Sequence, residues 1–284
     1  MSRTAVIVTP GAHGSKSAPA RVRVESDGPR GRAHLAARLL GVRGDTVRIA
    51  LIAEGALLLA GDEIDLRLDV GEGCRLEVVE PAGTVAYDMR GGAASCRVAV
   101  DVETGGEVVW SGQPLVVAGG ADVTRTLTVT LAGTATARLR EVLVLGRARE
   151  EGGRLVQSAS VVRDGHPIHR EDLDLDGTRP RVGVLGELRV IDTVSLLGQR
   201  APGIPLPEGA HRLDLEAEAT IVRALGAQAH LASLDVVWSF IRAAEGLSLR
   251  TSLLQGDSRD TRPADRYEAR AAGVGQRSRA AAAP

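Results

Sequence analysis

The chain has 284 residues and a formal net charge of −1; 44% of it is hydrophobic, but only 2% is aromatic. Without a basic surplus to neutralise phosphates, a nucleic-acid partner is disfavoured. No apolar run approaches the roughly 18 residues that a membrane span needs, and the core has to be built from Val, Leu, Ile and Ala.

Cys74 and Cys96 are the two cysteines. That is too few for a disulfide framework, and their spacing matches no zinc template. Each falls in the apolar phase of an alternating run, so each reads as a small buried hydrophobe. The apolar run 4–9, ended by Pro10, is too short for a signal-peptide core. These features together describe a soluble, cytoplasmic protein of a reducing compartment.

In chain order, residues 1–20 read as a flexible lead-in. A first strand covers 20–25 (Val22, Val24). Residues 32–40 are ambiguous, because Leu35, Leu39 and Leu40 have helical spacing but Gly41 follows at once. Residues 46–53 alternate, and 56–60 are apolar throughout, as in a strand covered on both faces.

From residue 61 to 89 two alternating runs are joined by a glycine turn. Ile64, Leu66, Leu68 and Val70 fall on every second residue, which places them on one strand face. Gly71 to Gly73 supplies a turn where glycine takes positive φ without a Cβ penalty, and the alternation resumes at Cys74, Leu76 and Val78. The unit recurs at 98–110 and 127–141, with offsets of 32 and 29 residues between Leu66, Val98 and Leu127. A two-strand repeat cannot bury its apolar face alone; stacking one repeat on the next can. The expected fold is all-β: a stacked-strand, β-helix or solenoid-like single domain over 21–250 with a small C-terminal helix, favoured over a layered β-sandwich because the period is nearly constant.

Further on, 154–162 alternates, Asp164-Gly165 turns, 172–175 is a short strand, and 182–197 holds two short runs. Residues 203–209 are a Pro/Gly loop, and 211–222 a last strand. The clearest helix is 233–245: Ser233 can cap it, and Leu234, Val237, Trp238 and Ile241 follow a 3.6 period. Residues 251–284 lack periodicity and read as a disordered tail.

No phosphate-cradling, zincin or nucleophile-elbow motif is present. His166 and His169 have a metal-like spacing, but Pro167 and the preceding Asp164-Gly165 make this a turn into a strand. Glu141 stands apart from the other acidic residues because it introduces the apolar run 142–145. Burying it requires a partner, for which Arg140 and Arg147 are the near candidates. A β-solenoid carbohydrate-active enzyme is the alternative class, but it needs aromatic platforms, and the chain has one Phe, two Tyr and two Trp.

Several phrases together resemble the UreD (UreH) family of urease accessory proteins. They are Gly61-Asp62, Gly73-Cys-Arg-Leu76, Gly83-Thr-Val-Ala-Tyr87, Trp110 with Gln113-Pro114-Leu115, Gly119-Gly120-Ala121, the EVLVLGR run from Glu141 to Arg147, and RDGHP from Arg163 to Pro167. Val79-Glu80 stands where the family usually has Thr-Gln, and Val85 where it has Lys. The resemblance implies a predominantly β, stacked-strand protein without catalytic activity. It further implies docking to UreF-type and, through it, UreG-type accessory proteins and to the urease apoprotein, within a dimeric accessory complex. Nickel would pass transiently along an internal path, with no tightly bound cofactor. Such a path needs oxygen ligands that hold Ni²⁺ weakly. Asp62, Glu80, Thr84, Tyr87, Glu141 and Arg147, at strand ends within these motifs, are the candidate partner-binding or nickel-path residues.

Overall fold

The computed structural model describes residues 1–11, 18–28, 34–179, 182–201 and 203–243. The N-terminal strands are β1 (Ser2–Thr9), β2 (Arg21–Asp27), β3 (His34–Arg43) and β4 (Thr46–Glu54). The repeated part holds β5 (Glu63–Val70), β6 (Arg75–Val79), β7 (Thr84–Ala86), β8 (Ala94–Val102), β9 (Glu107–Val117), β10 (Asp122–Leu131), β11 (Thr136–Leu145) and β12 (Arg154–Arg163). Then come β13 (His166–Asp176), β14 (Val190–Leu197), β15 (Ala210–Asp214) and β16 (Ala219–Gly226), a 3₁₀ turn at Ala229–Leu231, and helix α1 over 235–243. The sixteen strands among the described residues lie in the compact unit Met1–Arg242; of the second unit, Ala243–Pro284, only its first residue is described.

The chain alternates between two sheets. One has the order β13-β12-β10-β8-β5-β1-β2, the other β15-β16-β14-β11-β9-β6-β4-β3, with β7 beside β9. Within each sheet the strands of successive repeats are parallel. Leu66 lies opposite Val98, Val98 opposite Leu127 and Leu127 opposite Ala159. The offsets in the sequence are therefore coil lengths, because a period-two strand cannot slip by one residue without turning its apolar face to water.

The corners are stacked as well. Gly73, Gly105 and Gly133 have φ of +64°, +69° and +51°, and the Gly73 N–H donates to the Thr104 carbonyl of the next corner at 3.1 Å. A Cβ in this left-handed region is strained. Antiparallel hairpins close both ends: β1–β2 and β3–β4 at the start, β12–β13 and β14–β16–β15 at the finish. They occupy the ladder edges that another coil would otherwise take.

Val6, Leu68, Val70, Leu76, Val100, Val108, Val129 and Leu131 fill one part of the space between the sheets. Ile64, Ala86, Val117, Val123, Leu143 and Leu155 fill another. On the outer face of the second sheet, Val109, Val142, Val194 and Val222 are covered by Val237, Trp238 and Ile241 of α1. The Asp235 N–H donates to Ser233 Oγ at 3.2 Å, the cap expected from the sequence.

Several local expectations are corrected. Ser2–Thr9 is not a lead-in but a strand parallel to β5, as its Val6 and Val8 alternation permits. Residues 34–43 form β3, where a bulge between Leu39 and Gly41 breaks the strand phase and imitates helical spacing. Residues 56–60 are no strand: Leu58 sits at φ +58°, and Leu57 and Leu58 plug the interior while Leu59 points outward. The run 182–187 is turn rather than strand. The last strand expected over 211–222 is a β15–β16 hairpin. The expected tail and the end of the helix lie outside the described residues. No helix among the described residues is long and apolar enough to cross a membrane.

Candidate functional site

In β8, β10 and β11, and over Leu155 to Val161 of β12, the inward-facing phase is apolar except at one level. In β10, Val123, Leu127, Val129 and Leu131 point inward, and Arg125 shares their phase. Gln157 shares the phase of Leu155 and Ala159 in β12, Cys96 that of Ala94 and Val98 in β8, and Glu141 that of Leu139 and Leu143 in β11. Just past β6, Glu80 continues the phase of Leu76 and Val78.

These residues meet because the ladder aligns them. In the first sheet Cys96 lies opposite Arg125, and Arg125 opposite Gln157. In the second, Glu141 lies opposite Thr193, and Thr193 opposite Arg223. The result is a polar row that runs from coil to coil and separates the two interior apolar clusters. A cavity of about 190 Å³ opens at one end of it, lined by Glu80, Cys96, Trp110, Arg125 and Glu141 among aliphatic neighbours, with the exposed turn 81–83 at its rim.

Arg125 bridges the sheets: it is ion-paired with Glu141, and its Nη1 also donates to Gln157 Oε1 at 2.9 Å. Glu80 accepts from Trp110 Nε1 at 2.8 Å and from the Gln113 N–H at 2.9 Å. That second bond depends on a bulge in β9, where Gly112 and Gln113 together oppose Glu141. At the far end Arg223 donates to Thr193 Oγ1 at 3.1 Å and reaches Glu171 with both amino groups at 2.5 and 2.7 Å.

Burial pushes the Glu80 carboxyl up, against the opposing pull of its two hydrogen-bond donors. Burial works against the Arg125 charge too, but Glu141 and, more weakly, Glu80 outweigh it and raise the guanidinium pKa. The Cys96 thiol is pushed up by burial, which keeps it protonated and a poor metal ligand. The hydrogen bond from Arg223 holds Glu171 below its ordinary value, whereas burial lowers the neighbouring His169.

Of the six candidate residues read from the sequence, Glu80, Thr84 and Glu141 line the cavity. Asp62 does not; its carboxylate accepts the Leu59 N–H at 2.9 Å and closes a turn. Arg147 pairs with Glu150 in an exposed turn at 2.9 Å, holding that carboxyl down to about 2. Tyr87 is also exposed. Glu141 does have a cationic partner, but it is Arg125 from the opposite sheet, not Arg140 or Arg147. Arg140 points the other way, to Asp192 and Asp235, because neighbouring residues of a strand face opposite sides. His166 Nδ1 lies 3.0 Å from the Asp164 carbonyl in a turn, apart from half-buried His169. Among the described residues no three His, Cys, Asp or Glu side chains are grouped to hold a metal ion. Trp110 and Trp238 are both buried and present no platform for a sugar ring. Sequence reading missed Arg125, Gln157, Thr193, Glu171 and Arg223; the available signal was a polar side chain in the apolar phase.

Fold and site together define a mainly β, solenoid-like protein whose interior carries a lengthwise row of oxygen acceptors and paired guanidiniums. The family model described as "UreD urease accessory protein" matches residues 15–258, and the chain belongs to that family. It is 46% identical over 199 residues to "Urease accessory protein UreD 1" of Streptomyces griseus, an alignment covering 69% of this chain and 77% of the relative. It is 37% identical over 165 residues to "Urease accessory protein UreD 1" of Saccharopolyspora erythraea, covering 57% and 65%, and 36% identical over 173 residues to "Urease accessory protein UreD" of Frankia alni, covering 59% and 56%. The last two alignments span less than two thirds of the relatives' length.

Proposed function

We propose that this protein is a non-enzymatic scaffold of urease maturation that docks UreF-type and UreG-type partners onto the urease apoprotein in the cytoplasm and relays Ni²⁺ through the space between its sheets. The observation that carries this reading is the continuous polar row. Glu80, Glu141, Gln157 and Thr193 offer carboxylate, amide and hydroxyl oxygens from neighbouring strands, and Arg223 links Thr193 to Glu171. Oxygen donors hold Ni²⁺ more weakly than imidazole or thiolate sites, and a relay must release what it receives. Family membership supports the same reading, since the relatives carry the name urease accessory protein.

The test is to co-express the urease genes with and without this chain and to measure nickel per urease active site. Urease with its full nickel content in the absence of the chain refutes the role. A pull-down with tagged chain, probed for the UreF-type protein and for the urease apoprotein, tests the docking part separately.

A further inference from the structure

We propose that Arg125 is a built-in counter-ion that keeps the cavity between Glu80 and Glu141 from retaining a divalent cation, so that an ion passes by displacing the guanidinium from Glu141 rather than by filling a vacant site. The inference rests on the relay reading for the identity of the ion; the role of Arg125 itself rests on the geometry.

Two carboxylates project from the second sheet toward one cavity. Both oxygens of Glu80 are held by neutral donors, Trp110 Nε1 and the Gln113 N–H, which fix the group without cancelling its charge. Glu141 is neutralised by Arg125 alone among the described residues. Arg140 also borders the cavity, but its guanidinium is tied to Asp192 and Asp235 on the other face of β11. Take Arg125 away and two carboxyl groups share a low-dielectric cavity without their counter-ion, which favours a dication between them. With Arg125 in place, a dication has to compete with a guanidinium that does not deprotonate at any physiological pH.

Gln157 makes this displacement reversible. Its Oε1 accepts from the same Arg125 Nη1 that faces Glu141, at 2.9 Å, and it is 4% exposed. When an ion takes Glu141, Arg125 keeps a hydrogen-bond acceptor and is not stranded. When the ion leaves, the pair closes again.

The experiment is Ni²⁺ titration calorimetry on the purified full-length chain, with circular dichroism to establish folding. Arg125→Gln is expected to bind one Ni²⁺ at least tenfold more tightly than wild type. Arg125→Lys, which keeps the charge, is expected to stay within threefold of wild type, and Arg125→Gln combined with Glu141→Gln to lose the gain. A folded Arg125→Gln with wild-type affinity overturns the proposal, as does a gain that survives Glu141→Gln. If Arg125→Gln does not fold, Gln157→Glu carries the test: it adds a carboxylate beside an intact Arg125 and is expected to tighten Ni²⁺ tenfold, and unchanged affinity overturns the proposal. None of these readouts uses urease. Failure of the relay reading would show as normal nickel in urease when the whole chain is deleted, and the calorimetry would still decide the counter-ion role.

Discussion

Two carboxylates share the Arg140 guanidinium, and their burial predicts very different consequences when each is removed. Asp192 is 1% exposed and takes Arg140 Nε at 3.2 Å, Nη2 at 2.7 Å and the Leu234 N–H at 2.9 Å. Asp235 takes Arg140 Nη1 at 2.5 Å, but its side chain is 77% exposed. Breaking a buried ion pair from one side costs about 3–5 kcal/mol, and an unsatisfied buried N–H about 1–3 kcal/mol. These costs overlap, because Arg140 keeps Asp235 in the variant. Asp192→Ala is therefore expected to lose about 3 kcal/mol, a fall of about 6–12 °C in Tm for a unit of this size. Asp235→Ala is expected to lose about 1 kcal/mol or less. Urea unfolding followed by tryptophan fluorescence measures both, and amide exchange at Trp238, whose N–H bonds the Leu234 carbonyl at 2.9 Å, reports whether α1 opens first. Equal losses in the two variants, or a loss below about 1 kcal/mol for Asp192→Ala, would refute the idea that a buried carboxylate anchors the helix.

Gly112→Ala places a Cβ 2.5 Å from the Arg140 carbonyl oxygen, so the β9 bulge has to shift and the Gln113 N–H moves away from Glu80; a loss of about 1–3 kcal/mol is expected by thermal or urea melts, and a wild-type melt would contradict it. The Glu171 carboxyl is lowered below 4.5 by its hydrogen bond from Arg223, so its stabilisation is fully present above the unfolded value and is lost as pH falls through the folded one. Glu171→Gln should accordingly flatten the acid limb of stability below about pH 4.5, and parallel limbs in urea melts at pH 7, 4 and 3 would show that the pair contributes nothing. Replacing Arg125, Glu141 and Gln157 together by Met, Leu and Leu should leave stability unchanged or raise it by about 1–4 kcal/mol while abolishing nickel delivery to co-expressed urease. A large destabilisation would instead make the row structural.

Much of the solenoid was legible because side-chain period and ladder register are the same constraint. Leu66, Val98 and Leu127 could be superposed in the sequence, and they are paired in the sheet. The site was half legible. Glu141 was identifiable as a carboxylate beside an apolar run, and Glu80 as a strand-end acid, but neither the partner of Glu141 nor the depth of Glu80 could be read. Arg125 comes from the facing sheet, sixteen residues before Glu141, and only the number of residues at each corner decides which coils face each other. Arg140 and Arg147 were nearer in sequence and wrong in space, one on the outer face and one in a turn. The bulge at Leu39–Gly41 and the plug at 56–60 defeated the pattern for a related reason: both break the phase on which the reading depends.

A buried ion pair alone does not demand a functional explanation, because one such pair can serve simply to fix register. Here one pair would suffice for that purpose, yet inward polar side chains recur at the same level in β10, β12, β11, β14 and β16. In a stacked fold each coil contacts only its neighbours, so nothing in folding requires the polar positions of distant coils to align. Hydrocarbon at this level, as on either side of it, would pack without the desolvation cost. Alignment across several coils has a physical consequence only for something that moves along the stack or contacts many coils at once. A cavity beside Glu80 and Glu141, oxygen acceptors beyond it and a guanidinium poised between two of them are what the proposed relay would use.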